Sequence, residues 1–236
     1  MISEPASPAA GPGLARRALR FVGGLLAAWI VVSAGTVLLL RWADPPTSAF
    51  MIRERLATPI RYRWVDDANI SPQLKVAVIA AEDQNFPTHH GFDLRQINDA
   101  LVDRQRGRRV RGASTISQQV AKNLFLWPQQ SWLRKGLEAY FTVLIEALWP
   151  KQRILEVYLN VAEFGRGVFG VGAAADVYFH KRAARLNQYD AALLAAVLPS
   201  PKRMRVNAPS SYVRSRQEWI LGQMRGLGGT ALLKEL

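Results

Sequence analysis

The feature that most constrains this chain is a run of 20 residues without a charged side chain, residues 21–40, between Arg20 and Arg41. At a rise of about 1.5 Å per residue, about 20 helical residues cross a hydrocarbon core of roughly 30 Å. Because lipid offers no hydrogen bonds to the backbone, such a segment must be helical. We therefore predict a transmembrane helix over 21–40. The alternatives are a buried core helix, which the length disfavours, and a cleaved signal peptide, whose apolar part is usually shorter.

The charges on either side of this run predict its orientation. Arg16, Arg17 and Arg20 precede it, whereas Arg41 and Asp44 follow it directly. The positive-inside rule therefore places the N-terminus in the cytoplasm. We predict a cytoplasmic tail over 1–20, the transmembrane helix over 21–40, a juxtamembrane linker over 41–57 and a folded domain over 58–230.

Charge and cysteine content narrow the classes of function. The chain has 31 Lys and Arg residues against 18 Asp and Glu residues, a net charge of +13, which indicates an anionic partner such as nucleic acid, anionic lipid or a phosphorylated ligand. Between 101 and 135 we count eight basic residues and one acid, an excess of seven. The absence of cysteine excludes disulfides, thiolate catalysis and Cys-based metal sites. The three histidines lack a metalloprotease spacing, so we expect no metal site.

Helical periodicity dominates the rest of the chain and predicts a mainly α fold. A proline after Ser71 indicates a helix start at that point, and we expect this helix to end at Pro87. Further helices are predicted over 115–126, 131–149, 151–162, 188–198 and 210–224. Four glycines between 165 and 172 indicate a loop, and a short hairpin is an option within 58–66.

Two glutamates are candidates for chemistry. Glu82 follows Val78 by four residues on the apolar face of a predicted helix, where a carboxylate is costly unless it is paired or its pKa is raised. A raised pKa suits a general base, but Glu82 could equally be a surface residue paired with an arginine. Glu138 follows Arg134 and Lys135 at helical spacing, which an ordinary surface ion pair would also explain.

Four segments, in this order, resemble the peptidoglycan glycosyltransferases: 81–93 (AEDQNFPTHHGFD), 111–125 (RGASTISQQVAKNLF), 134–138 (RKGLE) and 151–160 (KQRILEVYLN). The resemblance covers essentially residues 50–230. These enzymes occur alone or fused to penicillin-binding transpeptidase domains, and the end of the chain soon after 230 leads us to expect the monofunctional form. The resemblance implies a mainly α, lysozyme-like glycosyltransferase domain with a smaller membrane-facing lobe, plus one N-terminal transmembrane helix.

The resemblance also implies a reaction and roles. The enzyme would polymerise lipid II, with Glu82 as general base and Glu138 as a second carboxylate that organises the site or assists the pyrophosphate. The positions that match the family's groove for the donor's pyrophosphate and sugars are Ser114, Gln118, Lys122, Asn123 and Lys135. Arg134 adjoins this set. The residues between His90 and Arg111 match a mobile, membrane-facing region. In the H-x-G turn, His89 would hold the loop, with Asp83 and Asp93 in structural roles.

One position departs from the family pattern. Gln130 stands where many members carry an arginine, so either Arg134 or an arginine within 104–111 substitutes for it, or donor affinity is lower. No cofactor is expected to be required, although a divalent cation could assist the pyrophosphate leaving group, through Glu138.

The resemblance implies partners and a location as well. The expected partners are lipid II, the nascent glycan strand and membrane lipid, with cell-division or elongation proteins as further candidates and no nucleic acid. The expected location is the bacterial inner membrane, with a periplasmic catalytic domain. The alternative function is that of a lysozyme-like hydrolase or lytic transglycosylase. A third candidate function is that of a non-enzymatic membrane adaptor.

Overall fold

Helices make up most of the computed structural model, which describes residues 13–96 and 114–236 together with residues 98 and 102. This confirms the predicted fold class. In the described part the helices are α1 (Leu14–Leu39), α2 (Ala49–Arg55), α3 (Pro72–Glu82), α4 (Ile116–Phe125), α5 (Trp132–Leu148), α6 (Lys151–Val161), α7 (Gly170–Phe179), α8 (Gln188–Val197) and α9 (Ser211–Gly226). Short 3-10 turns lie at Asp67–Asn69, Ala183–Arg185 and Gly229–Glu235.

Helix α3 lies at the centre of the core. Its residues from Val76 to Ala80 are all buried, and it packs against α8 and α9. Pro72 occupies its first turn, where the missing N–H leaves no helical hydrogen bond unmade. A helix that is apolar on all sides belongs in the interior, and the Ala-rich α8 is buried in this way. The same core also receives α4, which packs against α5 and α6.

Helix α3 ends at Glu82, five residues before the predicted stop at Pro87. Asp83 leaves the helical conformation (φ −162°, ψ 78°), and its carboxylate accepts hydrogen bonds from the Ile116 backbone N–H and from the His89 ring. These tertiary hydrogen bonds replace the next helical turn. Glu82 is consequently the last residue of a buried helix.

Three short strands form a small sheet in the order β1 (Arg61–Tyr62), β3 (Val168–Phe169), β2 (Glu163–Gly165). The expected hairpin within 58–66 is wrong, because β1 pairs in parallel with β3 from a distant part of the chain. The expected glycine-rich loop is also wrong in part: it contains the β2–β3 hairpin and the start of α7. Gly170 has φ +76°, and a Cβ there would lie 2.6 Å from the Asn160 carbonyl oxygen.

Helix α1 is longer than the predicted span and lies against α5. Residues Arg16–Leu39 are long and apolar enough to cross a membrane. The Trp29 and Tyr140 rings lie 4.8 Å apart, the Ser33 and Tyr140 hydroxyls are hydrogen-bonded at 2.7 Å, and Trp149 Nε1 donates to the Val37 carbonyl at 2.7 Å. The apolar helix therefore packs against the folded domain through side-chain contacts with α5, in addition to being joined to it along the chain.

The segment 41–57, predicted as a juxtamembrane linker, contributes to the core. It contains α2, which packs against α4, and Met51 is fully buried. Ser48 caps this short helix by accepting a hydrogen bond from the Met51 N–H. On the same side, Arg153 donates to the Leu40 and Ala43 carbonyls and fixes the path of the chain after α1.

Candidate active site

Glu82 is buried at the C-terminal end of α3, with its side chain 13% exposed. Its Oε2 accepts a hydrogen bond from Gln119 Nε2 at 3.0 Å, and its Oε1 lies 3.7 Å from Arg216 Nη2. Burial raises the pKa of Glu82, while the Gln119 hydrogen bond and the charges of Arg216 and Lys122 act in the opposite direction. A buried carboxylate with a raised pKa can take up a proton near neutral pH. The surface alternative considered for Glu82 does not hold.

Glu138 lies within α5 and is 2% exposed. Arg134 Nη1 donates to its Oε2 and Lys135 Nζ donates to its Oε1. Arg134 is itself buried, whereas the Lys135 side chain is 48% exposed. The helical spacing that suggested a surface pair therefore produces a buried carboxylate with one buried and one accessible cation.

These groups line a cavity of about 510 Å³, which we call the cationic cavity. Its wall carries three basic side chains and the carboxylate of Glu138. The polar residues lining it are Ser114, Lys122, Gln130, Ser131, Arg134, Lys135 and Glu138, joined by Pro128 and Trp132. A cavity lined in this way suits an anion with several oxygen atoms, such as a phosphate or pyrophosphate.

A second cavity of about 360 Å³ adjoins the first, since Lys122 lines both. Its polar wall includes Gln119, Asn123, Tyr158, Glu163 and Lys202. Glu82 is not among the described residues that line the two cavities. Its carboxylate is linked to the second cavity by its hydrogen bond to Gln119. We call this space the second cavity; like the cationic cavity, it is lined by three basic side chains, Lys122, Lys202 and Arg203, and one carboxylate, Glu163.

Lys122 connects the two glutamates electrostatically. Burial lowers the pKa of Lys122, the carboxylates of Glu138 and Glu82 act to raise it, and the neighbouring Arg134 and Lys135 lower it further. Its ammonium also lies 5.9 Å from the centre of the Phe50 ring. Lys122 therefore lies within electrostatic reach of both carboxylates, of which only Glu138 shares a cavity with it.

The structure brings six of the eight predicted site residues to the two cavities, and the exceptions are Glu82 and Gln118. Ser114, Lys122, Arg134, Lys135 and Glu138 share the cationic cavity, and Asn123 lines the second cavity. Gln118 lines neither in the described structure, because its Oε1 accepts a hydrogen bond from the Thr115 N–H while the Thr115 hydroxyl accepts one from the Gln118 N–H. This reciprocal pair is a capping box for α4.

The H-x-G turn beside the site is held rigidly. His89 Nδ1 accepts a hydrogen bond from the Gly91 N–H, so its Nε2 carries the hydrogen and donates to Asp83 at 2.9 Å. Asp93 accepts hydrogen bonds from the Asn85 side chain and the Gln96 N–H. Gly91 has φ +84°, and a Cβ there would lie 2.7 Å from Thr142 Cγ2. These groups position the start of α4 next to Glu82.

Three residues of the site were missed from the sequence: Gln119, Tyr158 and Arg216. The Thr115-x-x-Gln118 spacing is a capping-box signature, which assigns the Gln118 side chain to the start of the helix. Of the two adjacent glutamines, this leaves Gln119 as the one available to the site. Nothing local marks Tyr158 or Arg216, because packing of α6 and α9 brings them to Glu82.

Gln130, where the family pattern has an arginine, lines the cationic cavity beside Arg134. The arginines at 104–111 that were offered as substitutes lie outside the described residues, as does most of the predicted membrane-facing segment. In the part of the chain that is described, no group of three or more His, Asp or Glu residues is arranged to hold a metal ion.

Known proteins resemble this chain over most of its length. A sequence model of the family described as Transglycosylase matches residues 51–225. A "Biosynthetic peptidoglycan transglycosylase" of Salmonella agona (strain SL483) is 55% identical over 218 residues, which cover 89% of this chain and 90% of the relative. Proteins of the same name from Shewanella oneidensis and Xanthomonas campestris pv. campestris (strain B100) are 50% and 51% identical, covering 93% and 94% of this chain and 96% and 94% of the relatives.

Proposed function

The chain belongs to the transglycosylase family and is a peptidoglycan glycosyltransferase, and from this premise we propose that it polymerises lipid II into glycan strands. In the proposed reaction the 4-hydroxyl of the acceptor's GlcNAc attacks the anomeric carbon of the growing chain's terminal MurNAc. The new bond joins that oxygen to the anomeric carbon, the bond to the undecaprenyl pyrophosphate breaks, and the anomeric configuration inverts from α to β.

The observation that carries this proposal is that Lys122 lines both cavities and lies within electrostatic reach of Glu82 and Glu138. A transfer between two substrates needs two adjoining spaces, one for the donor and one for the acceptor. It also needs a base on the acceptor side and positive charge on the leaving-group side. Glu82 adjoins the second cavity through Gln119, and Glu138 holds Arg134 and Lys135 in the cationic cavity.

Glu82 is the proposed general base. It would take the proton from the attacking hydroxyl as the oxygen bonds to the anomeric carbon, because its burial raises its pKa. Its Oε1 has no hydrogen-bond partner among the described residues, and because this oxygen is also shielded from solvent, the acceptor hydroxyl would reach it only after neighbouring side chains move. In the proposed arrangement the acceptor sugar lies in the second cavity, next to Gln119.

The cationic cavity is the proposed site of the departing pyrophosphate. Lys122, Arg134 and Lys135 would neutralise the charge that develops on the leaving oxygens, with the Ser114 hydroxyl as a further donor. Glu138 holds Arg134 and Lys135 in place through its two oxygens. With this charge supplied by side chains, we propose that no metal is obligatory, and that a chelator slows the reaction far less than Lys122→Met does.

The contact of α1 with α5 supports a site beside the bilayer. Helix α5 carries the Arg134–Glu138 cluster and packs directly on the apolar helix through Tyr140 and Trp149. A lipid-linked donor would therefore meet the cations without leaving the membrane. We propose an inner-membrane location with a cytoplasmic N-terminus and a periplasmic domain. We also propose that the protein contacts membrane lipid. Binding to cell-division or elongation proteins stays a prediction.

The test is polymerisation of fluorescent lipid II by the full chain in detergent, with products separated by gel electrophoresis. Wild type should produce a ladder of long glycans. The rate of polymerisation should fall at least about 100-fold in Lys122→Met. The control variant Lys75→Met should polymerise at the wild-type rate. Lys75 pairs with Asp67 outside the two cavities. Release of soluble muropeptides from purified sacculi, with no polymer from lipid II, would instead establish the lysozyme-like hydrolase.

A further inference from the structure

Glu82 is held by a chain of neutral hydrogen bonds that ends in a buried tyrosine. Gln119 Nε2 donates to Glu82 Oε2 at 3.0 Å, and the Tyr158 hydroxyl donates to Gln119 Oε1 at 3.2 Å. The three side chains come from the end of α3, from α4 and from α6. Tyr158 is 1% exposed, so its hydroxyl cannot turn to bulk water for another partner.

The direction of this chain follows from the chemistry of its members. A primary amide has a donating end and an accepting end, and only the donating end stabilises an ionised carboxylate. With Nε2 facing Glu82, Oε1 must face Tyr158, and burial keeps the Tyr158 hydroxyl protonated by raising its pKa well above the ordinary value. A rotated Gln119 amide would place its oxygen against the Glu82 carboxylate, which costs the hydrogen bond to Glu82, although the Tyr158 hydroxyl could then accept from Nε2.

The two oxygens of Glu82 are consequently unequal. Oε2 is occupied by Gln119, whereas Oε1 has no hydrogen-bond partner among the described side chains and stands 3.7 Å from Arg216 Nη2. We propose that Gln119 and Tyr158 are positioning residues that hold Oε2 of the Glu82 carboxylate, so that Oε1 alone is left to accept the proton of the acceptor hydroxyl. This inference rests on the proposed role of Glu82 as the base.

The effect on titration can be stated with its sign. The groups that face Glu82 are Lys122 from α4, Arg216 from α9 and Asp83 next in the chain, in addition to Gln119 and Tyr158. The hydrogen bond from Gln119 opposes the burial that raises the pKa of Glu82. Releasing the amide therefore raises that pKa further, and the acid limb of the rate profile, where the base becomes ionised, moves to higher pH.

The experiment is the pH dependence of kcat for lipid II polymerisation by the full chain with Tyr158→Phe. We expect a loss of at most about 3-fold on the acid limb, an acid limb displaced upward by about 0.5 pH unit and an unchanged KM, since one hydrogen bond is lost. Tyr62→Phe is the matched control, because it also removes a tyrosine hydroxyl from a hydrogen bond, to the Pro45 carbonyl at 2.9 Å, outside the site. Its acid limb should coincide with that of wild type.

The outcomes separate this inference from the proposed function. A wild-type acid limb in Tyr158→Phe, together with an inactive Glu82→Gln variant, overturns the positioning role and leaves the base in place. A fully active Glu82→Gln variant overturns the proposed base itself. Where Tyr158→Phe does not fold, Gln119→Met replaces it: an upward displacement of the limb supports the inference, and an unmoved limb overturns it.

Discussion

Replacing Glu138 by glutamine should destabilise the protein far more than replacing Lys135, although both belong to one ion cluster. Glu138 is 2% exposed and Arg134 is 8% exposed, whereas the Lys135 side chain is 48% exposed. Without the carboxylate, the Arg134 guanidinium keeps its charge in the interior with no compensating anion. Without Lys135, Glu138 still has Arg134.

The magnitude follows from this difference in burial. Removing one partner of a buried ion pair typically costs about 3–5 kcal/mol, because the other charge is left uncompensated. An exposed partner contributes about 0–1 kcal/mol. Arg134 Nε is already buried without a hydrogen-bond partner among the described groups, so Arg134 has little alternative bonding available. For a chain of this size, Glu138→Gln should lower the melting temperature by roughly 10 °C and Lys135→Gln by less than about 3 °C.

The measurement is thermal unfolding of the full chain in one detergent, followed by tryptophan fluorescence, for which the sequence provides seven tryptophans. Wild type, Glu138→Gln, Lys135→Gln and the double variant Arg134→Met/Glu138→Leu are compared at the same protein concentration and heating rate. The double variant removes both buried charges and should recover most of the lost stability.

Equal melting temperatures for Glu138→Gln and Lys135→Gln would refute the burial argument. A double variant that melts at a lower temperature than Glu138→Gln would also refute the burial argument. That result would mean that the uncompensated charge of Arg134 is not what destabilises Glu138→Gln.

Three further predictions concern stability. Gly91→Ala should cost about 2–4 kcal/mol, because φ is +84° and the new Cβ would lie 2.7 Å from Thr142 Cγ2; an unchanged melting temperature would contradict this. Glu82→Gln should stabilise the protein at pH 7: folding raises the pKa of Glu82 above its ordinary 4.5, so the ionised group costs stability above that range, and the advantage of glutamine should vanish below about pH 4.5. Melting curves across pH test the sign, and a variant less stable than wild type at pH 7 would oppose it. Tyr140→Phe should cost about 0.5–1.5 kcal/mol through the lost hydrogen bond to Ser33, and a double-mutant cycle with Ser33→Ala should show coupling rather than additivity.

The helices could be predicted where local chemistry decides them. Thr115 and Ser131 cap α4 and α5 as their sequence positions suggest, and Pro72 opens α3. The end of α3 could not be predicted, because it depends on hydrogen bonds that Asp83 accepts from Ile116 and His89, which are 33 and 6 residues away. Strand β1 escaped recognition for the same reason, since its partner β3 is distant in sequence.

The site divides in a similar way. Glu82 and Glu138 stand out in the sequence because a carboxylate among apolar or cationic neighbours is unusual. Their burial, which gives them their chemistry, comes only from tertiary packing. Gln118 stays a predicted groove residue, and in the described structure its side chain is engaged in the helix cap. Arg216 reaches Glu82 from the last long helix, and no spacing along the chain indicates that contact.

The most direct test of the central claim measures donor binding and turnover separately in Glu82→Gln. The substitution keeps the shape of the side chain and removes its ability to accept a proton. The account predicts that lipid II binds within about threefold of wild type while polymerisation at saturating lipid II falls by at least about 100-fold. A variant that binds lipid II and polymerises it at the wild-type rate would contradict the account, because the hydroxyl would then lose its proton to another group.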